Sequence, residues 1–350
     1  MKHISGFNNF SVKEAVGIAT ATLLYSDFIL EETKKHFHKF MEGGERKYKE
    51  VENYKLDDSI TSNTDWVKMP VSNMRVEFIF VKKTDEVFSK DYPVSSKSKN
   101  FTTTGACYNI TEKKVDEEDS YLVDPIDNRT DHSIYLSLEV GAIICDKFNE
   151  YDDLFLEIES AIIHELNHGY EGYKRMISGA GQVSVDVTWA LDANRSRIKK
   201  EIWKKWGEKI GYGVYYSERH ELNAMTQEAL PYVKKYDVEE MKKKSPSWKN
   251  ADDLENFKAS EFKNEMSSLI NKFYPDIDST LILNRLKNGF ANQLDVARKE
   301  SVERVEDAPS MSGSDIRKMD IDKFLLYLQK RFNLAGKDLK RRILKLYSLK

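Results

Sequence analysis

The chain is poor in the residues that staple a protein together or give it a one-signed field. Its 350 residues include only two cysteines, Cys107 and Cys145. That is too few for a disulfide framework; it suits a reducing compartment and leaves room for one bridge at most. Fifty-five Lys and Arg stand against 58 Asp and Glu, a net charge of −3. Such a balance offers no field for holding nucleic acid or an anionic membrane. No stretch reaches the roughly 18–20 apolar residues of a membrane span. The nearest to a targeting segment is "AVGIATATLL" at 15–24, but Glu14 precedes it and threonine and glycine dilute it. It reads as an amphipathic or buried helix rather than a signal peptide. The expectation is a soluble protein made in a cytoplasm, with neither nucleic acid nor membrane among its partners.

What is present is enough apolar residue, 40% of the chain, to build a core beneath a surface fed by 32% charged residues. The length allows one large domain or two to three smaller ones. Residues 1–50 read as helical with a stop at Gly43-Gly44, and 51–70 as polar and irregular. The period then changes. "MRVEFIFV" (74–81), "GACYNIT" (105–111) and "HSIYLSLEVGAII" (132–144) are rich in β-branched and aromatic residues, as half-buried strands are. After Asn149 the pattern is helical again, with Leu154, Phe155, Ile158, Ile162 and Leu166 on one side. Further helices are expected over 191–210 and 217–236, and a charged helical stretch punctuated by Pro246 and "DAPSMSGSD" (307–315) runs to the end. Strands followed by helices make an α+β order rather than alternating βαβ units. The expected division is a helical N-terminal region (1–65), a mixed domain of strands and helices (66–236) and a helical C-terminal region (237–350).

The chemistry concentrates in "IIHELNHGYEGY", 162–173, where two of the seven histidines stand four residues apart. In a helix that spacing puts His164 and His168 on one face, where both imidazoles can reach one ion. Glu165 is turned beside that ion rather than onto it, in position to take a proton from an attacking water and return it to a leaving amine. The pattern is HExxH.

On this motif the chain resembles the zincin metallopeptidases, over about residues 70–235. The resemblance implies a Zn2+ cofactor, a twisted and mostly antiparallel sheet beside the active-site helix, and a peptide or protein substrate. It also implies that "HSIYLSLEVG" is either the edge strand that pairs with an extended substrate or an ordinary core strand. The metzincin extension is missing, because Glu171 and Lys174 occupy its Gly and His positions. The gluzincins instead take a third ligand from a later helix, often in an ExxA pattern. Downstream of the motif this chain has "ELNA", in which Glu221 would be the ligand and small Ala224 would let its helix approach. Glu218, three residues earlier on the same stripe, competes for that role. The match is similar to small gluzincin-like peptidases, including ones of tailed bacteriophages.

Other residues divide between chemistry and packing. Tyr215 or Tyr216 would donate to the developing oxyanion, as tyrosines do in related enzymes, with Tyr216 the chosen candidate; a buried aromatic is the alternative for both. Glu218 and Glu228 lie on the stripe of Glu221 and suit a supporting shell. His220, beside Glu221, could stabilise the oxyanion or bind metal but reads rather as exposed, and His36 and His38 of "HFH" read as surface residues on different helix faces. The opening "MKHISGFNNFSVKEAV" resembles the start of many proteins of large tailed phages, which implies virion or assembly components as partners and host cytoplasm or virion as location. A zincin fold serving phage assembly, as a structural or cargo protein rather than an enzyme, is the alternative function.

Overall fold

The computed structural model describes residues 25–55, 71–83, 101–111, 134–145, 151–177, 197–300 and 312–348. Helix α1 (25–43) is stopped by Gly44, whose φ of +68° is the left-handed conformation that glycine adopts cheaply at a helix end. The chain then turns into strand β1 (Lys47–Lys55), followed by β2 (Val71–Lys83), β3 (Phe101–Thr111) and β4 (Ile134–Cys145). The four form one sheet in the order β1-β2-β4-β3, with β2 and β4 parallel and the two outer pairings antiparallel.

Alternation is what places this sheet. Met74, Val76, Phe78 and Phe80 of β2 and Leu136, Leu138, Val140, Ala142 and Ile144 of β4 all turn to one buried face. Helix α1 covers that face with Ile29, Phe37 and Phe40, and helix α2 (Tyr151–Ile177) with Leu154, Ile158, Ile162, Leu166 and Tyr170, at helical spacing. Ring contacts lock the layers: Phe37 meets Phe80 and Phe155 edge-on, with centroids 5.3 Å apart in both pairs. On the other face Ile143 and Cys145 are also buried, so β4 is covered on both sides at this end.

Here one open alternative is decided and one expectation is corrected. The stretch "HSIYLSLEVG" is not an edge strand: from Ile134 onward it is β4, hydrogen-bonded to β2 on one side and β3 on the other, and His132 and Ser133 lie outside the described residues. Among the described residues the sheet's edges are β1 and β3. Nor is 1–65 a separate helical region, because Lys47–Lys55 is a strand of the same sheet and α1 belongs to the same core. Cys107 pairs with Leu138, seven residues along β4 from Cys145. At about 3.3 Å per residue that separation is far beyond the reach of a disulfide. The candidate leader at 15–24 lies outside the described residues, and no described helix is long and apolar enough to cross a membrane.

The remaining described residues are helical: α3 (Lys200–Trp206), a π-helical turn (Gly207–Gly211), α4 (Tyr212–Tyr216), α5 (Arg219–Glu228), α6 (Leu230–Lys235), α7 (Val238–Lys244), α8 (Pro246–Glu255), α9 (Ala259–Phe273), α10 (Ser279–Glu300), α11 (Gly313–Lys318) and α12 (Ile321–Tyr347). The single helix expected over 217–236 is two, α5 and α6, with Pro231 in the first turn of the second, where a missing N–H costs nothing. The chain divides into two compact units, Met1–Ala180 with Asn223–Met241, and Gly181–Leu222 with Lys242–Lys350. This cut differs from the three expected segments. In the second unit α12 is the spine. Its Phe324, Leu328, Phe332, Leu339 and Ile343 form a buried stripe, and Gly336 lets it approach the Ala251–Glu255 backbone of α8.

Candidate metal centre

Helix α2 is buried on opposite faces for different reasons. The Ile158, Ile162 and Leu166 stripe faces the sheet, while Ser160, His164 and His168, again four apart, form a second stripe on another face. That second stripe meets the end of α5. The Ser160 hydroxyl donates to the Glu228 carbonyl oxygen (2.9 Å), and His164 Nδ1 lies 3.0 Å from Glu228 Oε2. A carboxylate can only accept, so Nδ1 carries the hydrogen and Nε2 of His164 is left with its lone pair. That lone pair is what a metal takes, and a carboxylate behind the histidine both orients the ring and raises its basicity.

Nε2 of His168 stands 3.0 Å from Nε2 of His164, with the rings nearly perpendicular. Two nitrogens bound to one tetrahedral zinc at about 2.05 Å stand roughly 3.3 Å apart. The pair is therefore within a few tenths of an ångström of the spacing an ion requires. From α5, Glu221 could supply a third donor: His164, His168 and Glu221 each offer one ligand atom, and these three atoms lie within 4.8 Å of one another. Two neutral imidazoles and one carboxylate, from two helices, are a donor set that suits Zn2+ in a site that keeps a position open.

Glu221 is only 1% exposed, and Ala224, one turn on, is fully buried, as is Met225. The small side chain leaves α5 free to sit close, and the buried carboxylate lies where its charge is costly without a compensating cation. His220 Nε2 lies 3.3 Å from Glu221 Oε1 and would compensate that charge only when protonated. His220 is 18% exposed, not the surface residue expected. Glu218, the competing ligand, precedes the helix and is engaged elsewhere. It pairs with Arg331 of α12, whose Nε also donates to the Ser217 hydroxyl at 2.7 Å.

Glu165 is half-buried on α2 between the two histidines. Tyr216, half-buried on α4, stacks on Tyr212 at 6.0 Å and meets Tyr215 edge-on at 5.4 Å. The ring that faces His220, at 6.5 Å, is that of Tyr215. The side chains of Glu171 and Lys174 lie outside the described residues. Sequence reasoning named Glu228 only as one of two supporting carboxylates and set the possible role of His220 beside Glu221 below that of an exposed histidine. Their spacing from Glu221 on one helix was the available signal for both.

No protein-family model, curated protein or solved structure matches this chain.

Proposed function

We propose that the protein is a zinc metallopeptidase in which His164, His168 and Glu221 hold the ion and Glu165 is the general base. One observation carries the reading: the three donors converge from α2 and α5 with a carboxylate residue set between the two histidines. A Zn2+ ion held there would polarise the scissile carbonyl and lower the pKa of water at neutral pH. The protein's own residues do the rest. Glu165 accepts the proton of the attacking water and delivers it to the departing amine nitrogen. Glu228 keeps the imidazole of His164 in the Nε2-accepting tautomer through its bond to Nδ1. Tyr216, or Tyr215 beside His220, donates to the oxygen on which negative charge develops.

An extended peptide is the substrate form this reading favours. Among the described residues β3 is a terminal strand of the sheet, and α2, which carries the histidines, packs against it. The strand that would accept a peptide by edge pairing is therefore β3, not β4. A virion or assembly partner is in keeping with the resemblance of the N-terminal segment, and the test below separates an enzyme from an assembly protein.

Glu165→Gln keeps the side chain's shape and removes the proton acceptor. Its zinc content by atomic emission should stay near that of the parent, while hydrolysis of an unstructured protein substrate falls by at least the roughly 100-fold that a general base supplies. A variant that cleaves as fast as the parent ends the peptidase reading, and zinc bound to a parent that cleaves nothing points to the assembly role.

A further inference from the structure

The polar face between α1 and β1 carries a second convergence of donors. His36 was expected at the surface, yet it is 3% exposed. Its ring lies parallel to that of Phe78, with centroids 4.0 Å apart, and is held in one orientation. After the turn at Gly44, β1 runs back along α1, and its alternate residues Tyr48, Glu50, Glu52 and Tyr54 share one face of the strand. His36 Nδ1 lies 2.7 Å from the Tyr48 hydroxyl and 3.2 Å from Glu50 Oε2, and the Tyr48 hydroxyl donates to Glu50. Glu52, two residues on, is half-buried and has no cationic partner among the described residues. One ligand atom each from His36, Glu50 and Glu52 lies within 4.8 Å of the other two.

Two carboxylates gathered beside one imidazole repel one another unless a cation sits between them. Lys39, 3.9 Å from Glu50 Oε2, is exposed and flexible and reaches only one of the pair. One nitrogen and two oxygens are a donor set for a first-row divalent transition ion such as Zn2+ or Mn2+. Mg2+ and Ca2+ prefer oxygen alone. The Tyr48 hydroxyl, bonded to Glu50, would hold one ligating carboxylate in place. Glu50 is 40% exposed, so an ion has a way in from solvent.

We propose that His36, Glu50 and Glu52 form a second, structural site for a divalent transition ion, which ties α1 to the edge strand β1. Nothing in this proposal depends on the peptidase reading. No general base stands in the place Glu165 takes in the first site, so the role is to fasten a helix to a strand. In the metal-free protein Nδ1 donates to the Tyr48 oxygen, whose own hydrogen goes to Glu50; binding requires the ring hydrogen to move to Nε2, which frees the Nδ1 lone pair for the ion.

The test is isothermal titration of the metal-free full chain with Zn2+ and with Mn2+, using Glu52→Gln as the variant. Glu52 is half-exposed and Gln keeps its shape, so folding is retained where His36→Ala, in a buried position, risks losing it. The parent should bind two Zn2+ per chain, and Glu52→Gln one, with affinity at the second site down at least tenfold. In a His164→Ala/His168→Ala chain one ion should still bind and raise the melting temperature, and adding Glu52→Gln should abolish both effects. Stoichiometry unchanged by Glu52→Gln overturns the assignment, as does a His164→Ala/His168→Ala chain that binds nothing. Equal binding of Mg2+ in that chain would remove His36 from the site and overturn it as well.

Discussion

The sheet-bearing unit and the C-terminal helices are built to different rules. The first takes histidines and an asparagine into its interior: His36 and Asn167 are buried outright, and His164 and His168 largely so. The stretch 237–350 has no histidine and no cysteine at all. Its buried interior is apolar and aromatic, with Phe290 meeting Phe324 at 5.6 Å. Its buried Lys287 caps backbone carbonyls of Arg317 and Met319 rather than a reactive group. Burial of a polar group is costly unless bonding repays it. The sheet-bearing unit bears that cost at His36 and Asn167, and Glu221, in the other unit, bears it too, whereas the stretch 237–350 is packed chiefly on apolar contacts. On the proposed reading, substitutions should split into those that lose metal and those that lose folding.

The largest effect should come from the ligands. His164→Ala, His168→Ala or Glu221→Ala should each lower zinc affinity by more than the roughly 10–100-fold that losing a supporting partner costs, with the fold retained. Glu218→Ala, paired with Arg331, should leave zinc in place. Zinc retained after dialysis against a weak chelator measures both, and a reversed order would move the third ligand to Glu218. Next is Gly336→Ala in the helical unit. A Cβ there would lie 2.5 Å from the Ala251 carbonyl oxygen and 2.6 Å from Glu255 N, which are backbone atoms that cannot swing aside. The cost should be about 1–3 kcal/mol in urea denaturation, with zinc affinity unchanged. A loss of zinc in this variant would break the comparison.

Glu228→Ala sharpens it, because that residue supports a ligand without being one. Zinc should bind about 10–100-fold more weakly, read by chelator competition. The smallest effect is electrostatic. Burial pushes the Glu159 carboxyl on α2 above its ordinary range. A raised folded value favours the protonated acid, so the stability this contributes is complete below the unfolded value and lost as pH rises through the folded one. Glu159→Gln is neutral at every pH. It should melt slightly above the parent at neutral pH and match it in mild acid, and an equal melting temperature at both would deny the carboxylate any cost.

How much of this was legible follows from the range over which each signal acts. The stop at Gly44, the strands at 71–83 and 134–145 and the helix at 151–177 are written in neighbouring residues, through a left-handed glycine and the periods of two and 3.6. So is the geometry of His164, Glu165 and His168, because one turn of helix decides which side chains share a face. Strand β1 was not legible. In "KYKEVENYK" the inward face is Tyr48, Glu50, Glu52 and Tyr54, so alternation carries no contrast between apolar and polar.

Sequence by itself thus determined the helix that carries two candidate ligands and the proposed base, and the ExxA stripe that offers a candidate third, since each is a matter of residues within one turn or two. Only the tertiary structure decided which strand is an edge, because pairing joins β4 to β2 and β3 across long intervals of chain. It alone buried His36 against Phe78, turned Glu228 to His164, and sent Glu218 to Arg331. Those choices rest on contacts between residues tens of positions apart, and the local pattern that sets a helix face carries no information about what that face will meet.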